Sequence, residues 1–234
     1  MIITVVGAGG KTTICTRLGW EFSRLGFTVL FTTTTHIRRP GGMPVFIGNA
    51  RDIALQSPFM AASADTGDGK LKGFDPADID AIESRQVFDI ILVEGDGAKE
   101  RPVKAPAEWE PVYPAKTMLT IGVIGLDCLG KPITEKFVHR PGLFCAVTGA
   151  NPGDPITYNH LLALIQNPLG LFRHAPADAK QIVFLNKRDL IAGNGEQVSQ
   201  LMRQTDIPVF LTGRDSGWPD KFISGYMPGW KAKV

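Results

Sequence analysis

The chain has 234 residues, 44% of them hydrophobic and 21% charged, which is enough apolar material for one α/β-sized domain and excludes disordered and collagen-like classes. Lys plus Arg number 25 against 23 for Asp plus Glu, a formal charge of +2, too small to mark a protein that coats nucleic acid or an acidic membrane. Cys15, Cys128 and Cys145 have no paired short spacing, so neither a disulfide framework nor a CxxC zinc site is expected, and a reducing, cytoplasmic setting fits best.

The opening Met1-Ile2-Ile3-Thr4-Val5-Val6 carries no basic leader, and no apolar stretch approaches the roughly 20 residues that span a bilayer. Ile2 to Val6 reads as a β-branched strand that stops at Gly7. From about Thr12 a helical period takes over, with Ile14, Leu18, Phe22 and Leu25 as its buried stripe and Gly26 as its stop. Thr28 to Thr33 is a second strand, so the first unit is a right-handed parallel βαβ crossover. Strands are expected again at Val45 to Ile47, Ile90 to Val93, Met118 to Ile124, Ile182 to Leu185 and Val209 to Leu211. Their continuous hydrophobicity suits a sheet covered on both faces. Asp154 is a candidate cap for a helix over roughly Pro155 to Gln166, and Gly195 to Gln204 offers Val198, Leu201 and Met202 as another inward face. Ala61 to Asp75, small and polar, reads as an excursion or mobile loop, and Lys99 to Pro114 carries too many prolines for regular helix or central strand. The fold class is therefore α/β, a doubly wound, mainly parallel sheet of the P-loop NTPase type, read as a single domain over 1–234 with an irregular tail from about 218.

Gly7-Ala8-Gly9-Gly10-Lys11-Thr12-Thr13 stands where the first strand becomes the first helix. Successive N–H groups there, from Ala8 to Thr12, form an anion cradle strengthened by the helix dipole. Lys11 is expected to neutralise the phosphates of ATP or GTP, and Thr12 to be a Mg2+ ligand. The loop is shorter than GxxxxGK[ST], which would need a glycine where Val5 stands. It is similar to the GxxGKT[TS] loop of the Mur ligase and folylpolyglutamate synthetase families, which use it for ATP.

The strand ending at Val93 delivers Glu94-Gly95-Asp96-Gly97 to the carboxyl edge of the sheet, where open α/β sheets place ligands. One of the two carboxylates is expected to hold Mg2+, with Asp96 the first candidate, and Glu94 and Asp96 both to act in catalysis with Lys11. Asn186-Lys187-Arg188-Asp189 matches the NKxD pattern of GTP-binding proteins, in which an Asp carboxylate accepts from guanine N1–H and the exocyclic amine together. Thr212-Gly213 would close over the base. Hydroxyls of Thr32 to Thr35 and the His36 ring lie at a strand end, within reach of a ligand. Lys99, Arg101 and Lys104, with His139-Arg140-Pro141, form basic elements suited to an anionic partner substrate.

Together, Val5 to Thr12, Thr32 to His36, Val93 to Lys99 through Arg101 to Pro106, Val138 to Pro141 and Leu185 to Asp189 resemble the YqeC family. That resemblance implies an accessory protein of selenium-dependent molybdenum hydroxylases, concerned with making or inserting a labile selenium cofactor. Its partners would be a nucleoside triphosphate and a selenium- or molybdenum-cofactor intermediate or the client hydroxylase. The family commonly shows Ala-Asp-Gly-Ala where this chain has Gly95 before Asp96, a departure that retains the carboxylate.

Overall fold

The computed structural model of the chain describes residues 1–191, 195–214 and 222. In chain order the strands are β1 (Ile2–Gly7), β2 (Val29–Thr33), β3 (His36–Arg38), β4 (Val45–Ile47), β5 (Phe59–Ala62), β6 (Ala64–Asp65), β7 (Lys70–Lys72), β8 (Ile90–Glu94), β9 (Val103–Lys104), β10 (Thr117–Gly125), β11 (Val138–His139), β12 (Lys180–Asn186) and β13 (Val209–Leu211). The α-helices are α1 (Lys11–Arg24), α2 (Pro76–Ser84), α3 (Pro141–Thr148), α4 (Tyr158–Gln166) and α5 (Gly195–Arg203). Eight strands form one sheet in the order β13-β12-β10-β1-β8-β2-β5-β4, and every pairing in it is parallel.

Alternation along the strands sends side chains to two apolar layers. Ile3, Val5, Phe31, Leu92, Val123 and Phe184 meet Ile14, Cys15, Leu18 and Phe22 of α1 on one face. On the other, Ile2, Leu30, Ile91 and Val93 meet Ile79 and Ile82 of α2, while Ile124, Val183 and Leu185 meet Phe144, Leu164 and Leu201 from α3, α4 and α5. The fold is thus a doubly wound α/β sheet. It positions the site through one topological feature: from β1 the chain runs to β2 on one side, and from β8 it runs to β10 on the other. The switch opens a crevice at the carboxyl ends of β1 and β8.

Several elements depart from expectation. The expected excursion over Ala61 to Asp75 is not a loose loop: β5, which ends at Ala62, joins the central sheet, and β7 pairs with β3 on one side and β6 on the other in a small antiparallel sheet. Its small, glycine-containing sequence hides Leu71 and Phe74, both buried. Helix α4 begins three residues later than expected, because Thr157 and not Asp154 caps it, in a reciprocal pair with His160. Asp154 instead accepts from the Asn151 N–H at 2.9 Å. The proline-rich segment forms only the short β9, paired with β11 outside the main sheet. Met202's side chain and the expected irregular tail lie outside the described residues, except that Phe222 is buried against Phe22, Phe184 and Phe210. No helix among the described residues is long and apolar enough to cross a membrane.

Phe184 is fully buried in this aromatic group, against Phe210 and Phe222. Truncation by Phe184→Ala should cost about 3–5 kcal/mol, measured as a lower urea midpoint at unchanged slope; a loss under about 1 kcal/mol would show that this layer does not carry the fold.

Candidate functional site

The turn from β1 into α1 is built for close backbone approach. Gly9 and Gly10 have φ of 86° and 119°, where a side chain is strained, and a Cβ on Gly9 would lie 2.2 Å from the Gly125 amide nitrogen. The loop's own donors divide into two sets. Gly7 N–H donates to both Asp96 oxygens at 3.1 Å, Ala8 N–H to Val123 O at 2.9 Å and Gly9 N–H to Arg101 O at 3.1 Å. These three are committed to the protein, which narrows the expected cradle. The N-cap Gly10 gives no side-chain cap to α1, so the first-turn amides of Lys11, Thr12 and Thr13 are the donors oriented for an anion.

Lys11 reaches back across the turn. Its Nζ donates to Gly7 O at 2.7 Å and stands 3.3 Å from Asp96 Oδ1 and 3.6 Å from Glu94 Oε1. Burial pulls this ammonium's pKa down, but Asp96 and Glu94 outweigh it and hold the pKa above its ordinary value. Lys11 therefore stays charged at neutral pH. Burial pushes the Glu94 carboxyl up, and Lys11 and Thr12 only partly counter it. Thr12 Oγ1 donates to Glu94 Oε2 at 2.8 Å.

The two acids are thereby told apart. Glu94, and not the first candidate Asp96, shares the Thr12 hydroxyl. A hydroxyl beside a carboxylate is an oxygen donor set suited to Mg2+, which keeps most of its shell as water and phosphate oxygens. Asp96 is locked between Gly7 N–H, Lys11 and Lys104.

Lys104 is equally committed. It is 1% exposed, its Nζ 2.8 Å from Asp96 Oδ2 and 2.7 Å from Glu110 Oε2, and it donates to Gly97 O at 2.8 Å. It is therefore not an open anion receiver. Arg140 then grips Glu110 with two nitrogens, at 2.6 and 3.1 Å, and with Lys104 overcomes the effect of burial to lower the Glu110 pKa to about 2. One continuous chain of charges results: Lys11, Glu94 and Asp96, Lys104, Glu110, Arg140.

On the opposite side, Asn186 Nδ2 donates to Gly9 O at 2.8 Å, and Thr212 Oγ1 to Asn186 Oδ1 at 3.0 Å. The NKxD segment and the glycine loop, 177 residues apart, therefore touch. Lys187 pairs with Asp127 at 2.7 Å. Asp189 is exposed and accepts from the Arg214 N–H at 3.2 Å, with Gly213 packed close against its Oδ1.

The threonine cluster is structural: the hydroxyls of Thr32, Thr33 and Thr34 donate to the main-chain carbonyls of Ala61, Glu94 and Val112. His36 is exposed at the start of β3. Glu110 and Asp127 were not expected. Asp127 follows the end of β10, so the strand-end rule that singled out Asp96 applies to it as well. Glu110 carries no motif, only the signal of an acid within a basic, proline-rich loop.

A family model described as "YqeC protein" matches residues 3–142, and "Uncharacterized protein YqeC" of Escherichia coli (strain K12) is 37% identical over 195 residues, 80% of this chain and 75% of that one. The chain belongs to the YqeC family. No solved structure matches. The matched YqeC region holds the glycine loop, both acids and every member of the charge chain, and ends before Asn186.

The charge chain has a pH signature. Glu110 has its pKa depressed in the fold, so its contribution is complete above the unfolded value of about 4.5 and is lost as pH falls toward about 2. The stability gap between wild type and Glu110→Gln should therefore be full at pH 6 and close between pH 4.5 and 2 in denaturant titrations. A gap that does not change with pH would contradict the pairing.

Proposed function

We propose that this YqeC-family chain is a magnesium-dependent nucleoside triphosphate-binding protein that hydrolyses its nucleotide, acting in selenium cofactor biosynthesis for selenium-dependent molybdenum hydroxylases. The observation that carries the nucleotide reading is the meeting of Lys11, Thr12 and Glu94 at the uncapped N-terminus of α1. The pathway rests on the family resemblance alone.

Each group has a separate task. The first-turn amides of α1 donate to the phosphate oxygens, and Lys11 exchanges its carboxylate neighbours for those oxygens, a replacement of one anion by another that keeps the buried ammonium compensated. Asp96 holds the Gly7 amide and presents Lys11 to the loop until phosphate oxygens replace it, and so acts as a positioning residue. Thr12 and Glu94 would hold Mg2+, which when bound supplies charge neutralisation across the phosphates. Phosphoryl chemistry needs little more than such positioning and electrostatics.

A second reading, a GTP-binding switch or chaperone with little turnover of its own, is favoured by the Asn186 contact with the loop and by the exposed Asp189 carboxylate. In that reading Asp189 takes the two guanine donors. An ATP-dependent ligase or kinase, the reading suggested by the short loop, would show phosphate release only with an acceptor.

A charge-assisted hydrogen bond contributes about 1.5–3 kcal/mol, so Lys11→Ala and Thr12→Ala should each weaken triphosphate binding by roughly 10- to 100-fold; Thr12→Ala should keep the wild-type melting temperature, whereas Lys11→Ala, which leaves two buried carboxylates without their cation, should lower it. Wild-type affinity in both variants would refute the phosphate assignment. Asp189→Asn should remove GTP preference and spare tripolyphosphate binding; unchanged discrimination between GTP and ATP would refute the base assignment.

A further inference from the structure

The charge chain ends at a cleft. Beside the glycine loop, a cavity of about 540 Å³ is lined by His36, Lys99, Arg101, Glu135, His139 and Arg140, among others. This is the size of a small-molecule site. It adjoins the phosphate loop directly, since the Arg101 carbonyl that holds Gly9 N–H belongs to the same residue whose side chain borders the cleft.

The lining is cationic in a specific way. Lys104 and Arg140 already have carboxylate partners, whereas Lys99 and Arg101 have no ion-pair partner among the described residues. Arg101 Nε donates at 2.6 Å to the main-chain carbonyl of Glu135, leaving that carboxylate out of the contact. Helix α3 adds its own N-terminus at Pro141, with no side-chain cap. Two lining residues, Lys99 and Arg140, hold φ of 47° and 66°, a left-handed conformation that residues other than glycine rarely adopt. Burial and the cations Arg140 and Lys104 lower the His139 pKa to about 4, so its ring is neutral near pH 7 and adds a polar group without adding repulsion or attraction. Arg140 also lies over the exposed Trp109 ring, 5.8 Å from its centroid, which braces the guanidinium from outside.

We propose that this cleft binds a second, small substrate through a phosphate or carboxylate group, held by Lys99, Arg101 and the N-terminus of α3 and facing the nucleotide's phosphates across residues 96–102. That the anion is a co-substrate rests on the nucleotide reading. That the cleft takes an anion does not. The buried charges running from Arg140 to Lys11 give the two sites a shared wall, so filling one is felt at the other.

The test is calorimetric titration of the full chain with inorganic phosphate and, separately, with malonate. Each titration is run on Lys11→Ala and on wild type whose loop is filled with a nonhydrolysable triphosphate. One anion site should remain in both, and Arg101→Ala or Lys99→Ala should weaken it at least tenfold while melting temperature stays within a few degrees. Tighter phosphate than malonate binding assigns a phosphate ester, and the reverse assigns a carboxylate. Absence of both anions, affinity unchanged in both cleft variants, or binding that disappears once the loop is filled or Lys11 removed would each overturn the proposal. Failure of nucleotide to bind wild type, with Arg101-dependent anion binding intact, would refute the nucleotide reading and uphold the cleft.

Discussion

A lysine buried against two carboxylates governs the architecture of this edge of the sheet. Taking an ammonium and two carboxylates out of water is costly, and their attraction offsets that cost only when geometry and extra hydrogen bonds satisfy every member. Here Gly7 O, Gly7 N–H and the Thr12 hydroxyl supply those bonds. The arrangement requires β1 beside β8, a glycine turn tight enough to bring the helix start over the strand ends, and a carboxylate on the next strand at the same level. The doubly wound order satisfies all three. In the function proposed above, this ammonium exchanges its carboxylates for phosphate oxygens with little loss of compensation.

From that centre the ionic contacts run outward through Lys104 and Glu110 to Arg140. Each step leaves one group with a partner on either side, so no single member can be withdrawn without exposing another to an apolar surrounding. The arrangement accounts for the buried course of the proline-rich segment, whose short β9 brings Lys104 under the sheet edge. It also separates the basic residues into two kinds. Lys104 and Arg140 serve the network; Lys99 and Arg101 remain at the cleft.

Much of this was legible in the sequence, for reasons that differ by element. Buried parallel strands read as plain β-branched runs, which is why β1, β2, β4, β8, β10, β12 and β13 were expected close to their observed bounds. Gly26 stopped α1 as anticipated, with a φ of 85°. By contrast β5, β6 and β7 were obscured because their buried residues are few and embedded among Asp, Gly and Ala, so no periodicity betrays them. At the site, motif spacing located Lys11, Thr12, Glu94, Asp96 and Asn186. It was silent on which acid meets Thr12, since a two-residue difference along a turn is resolved only by where the backbone goes. Likewise the threonine run at the end of β2 resembled a set of ligand hydroxyls, yet the main-chain carbonyls of Ala61, Glu94 and Val112 claim three of them. Glu110 became meaningful only when the fold brought it between two cations.

Whether Lys11 exchanges its carboxylates for phosphate is decided by a crystal structure grown with Mg2+ and a nonhydrolysable nucleoside triphosphate. Lys11 Nζ should then leave its 3.3 Å contact with Asp96 for phosphate oxygens, with the first-turn amides of α1 on the same group. A nucleotide bound elsewhere, with the Lys11–Asp96 pair undisturbed, would contradict the exchange.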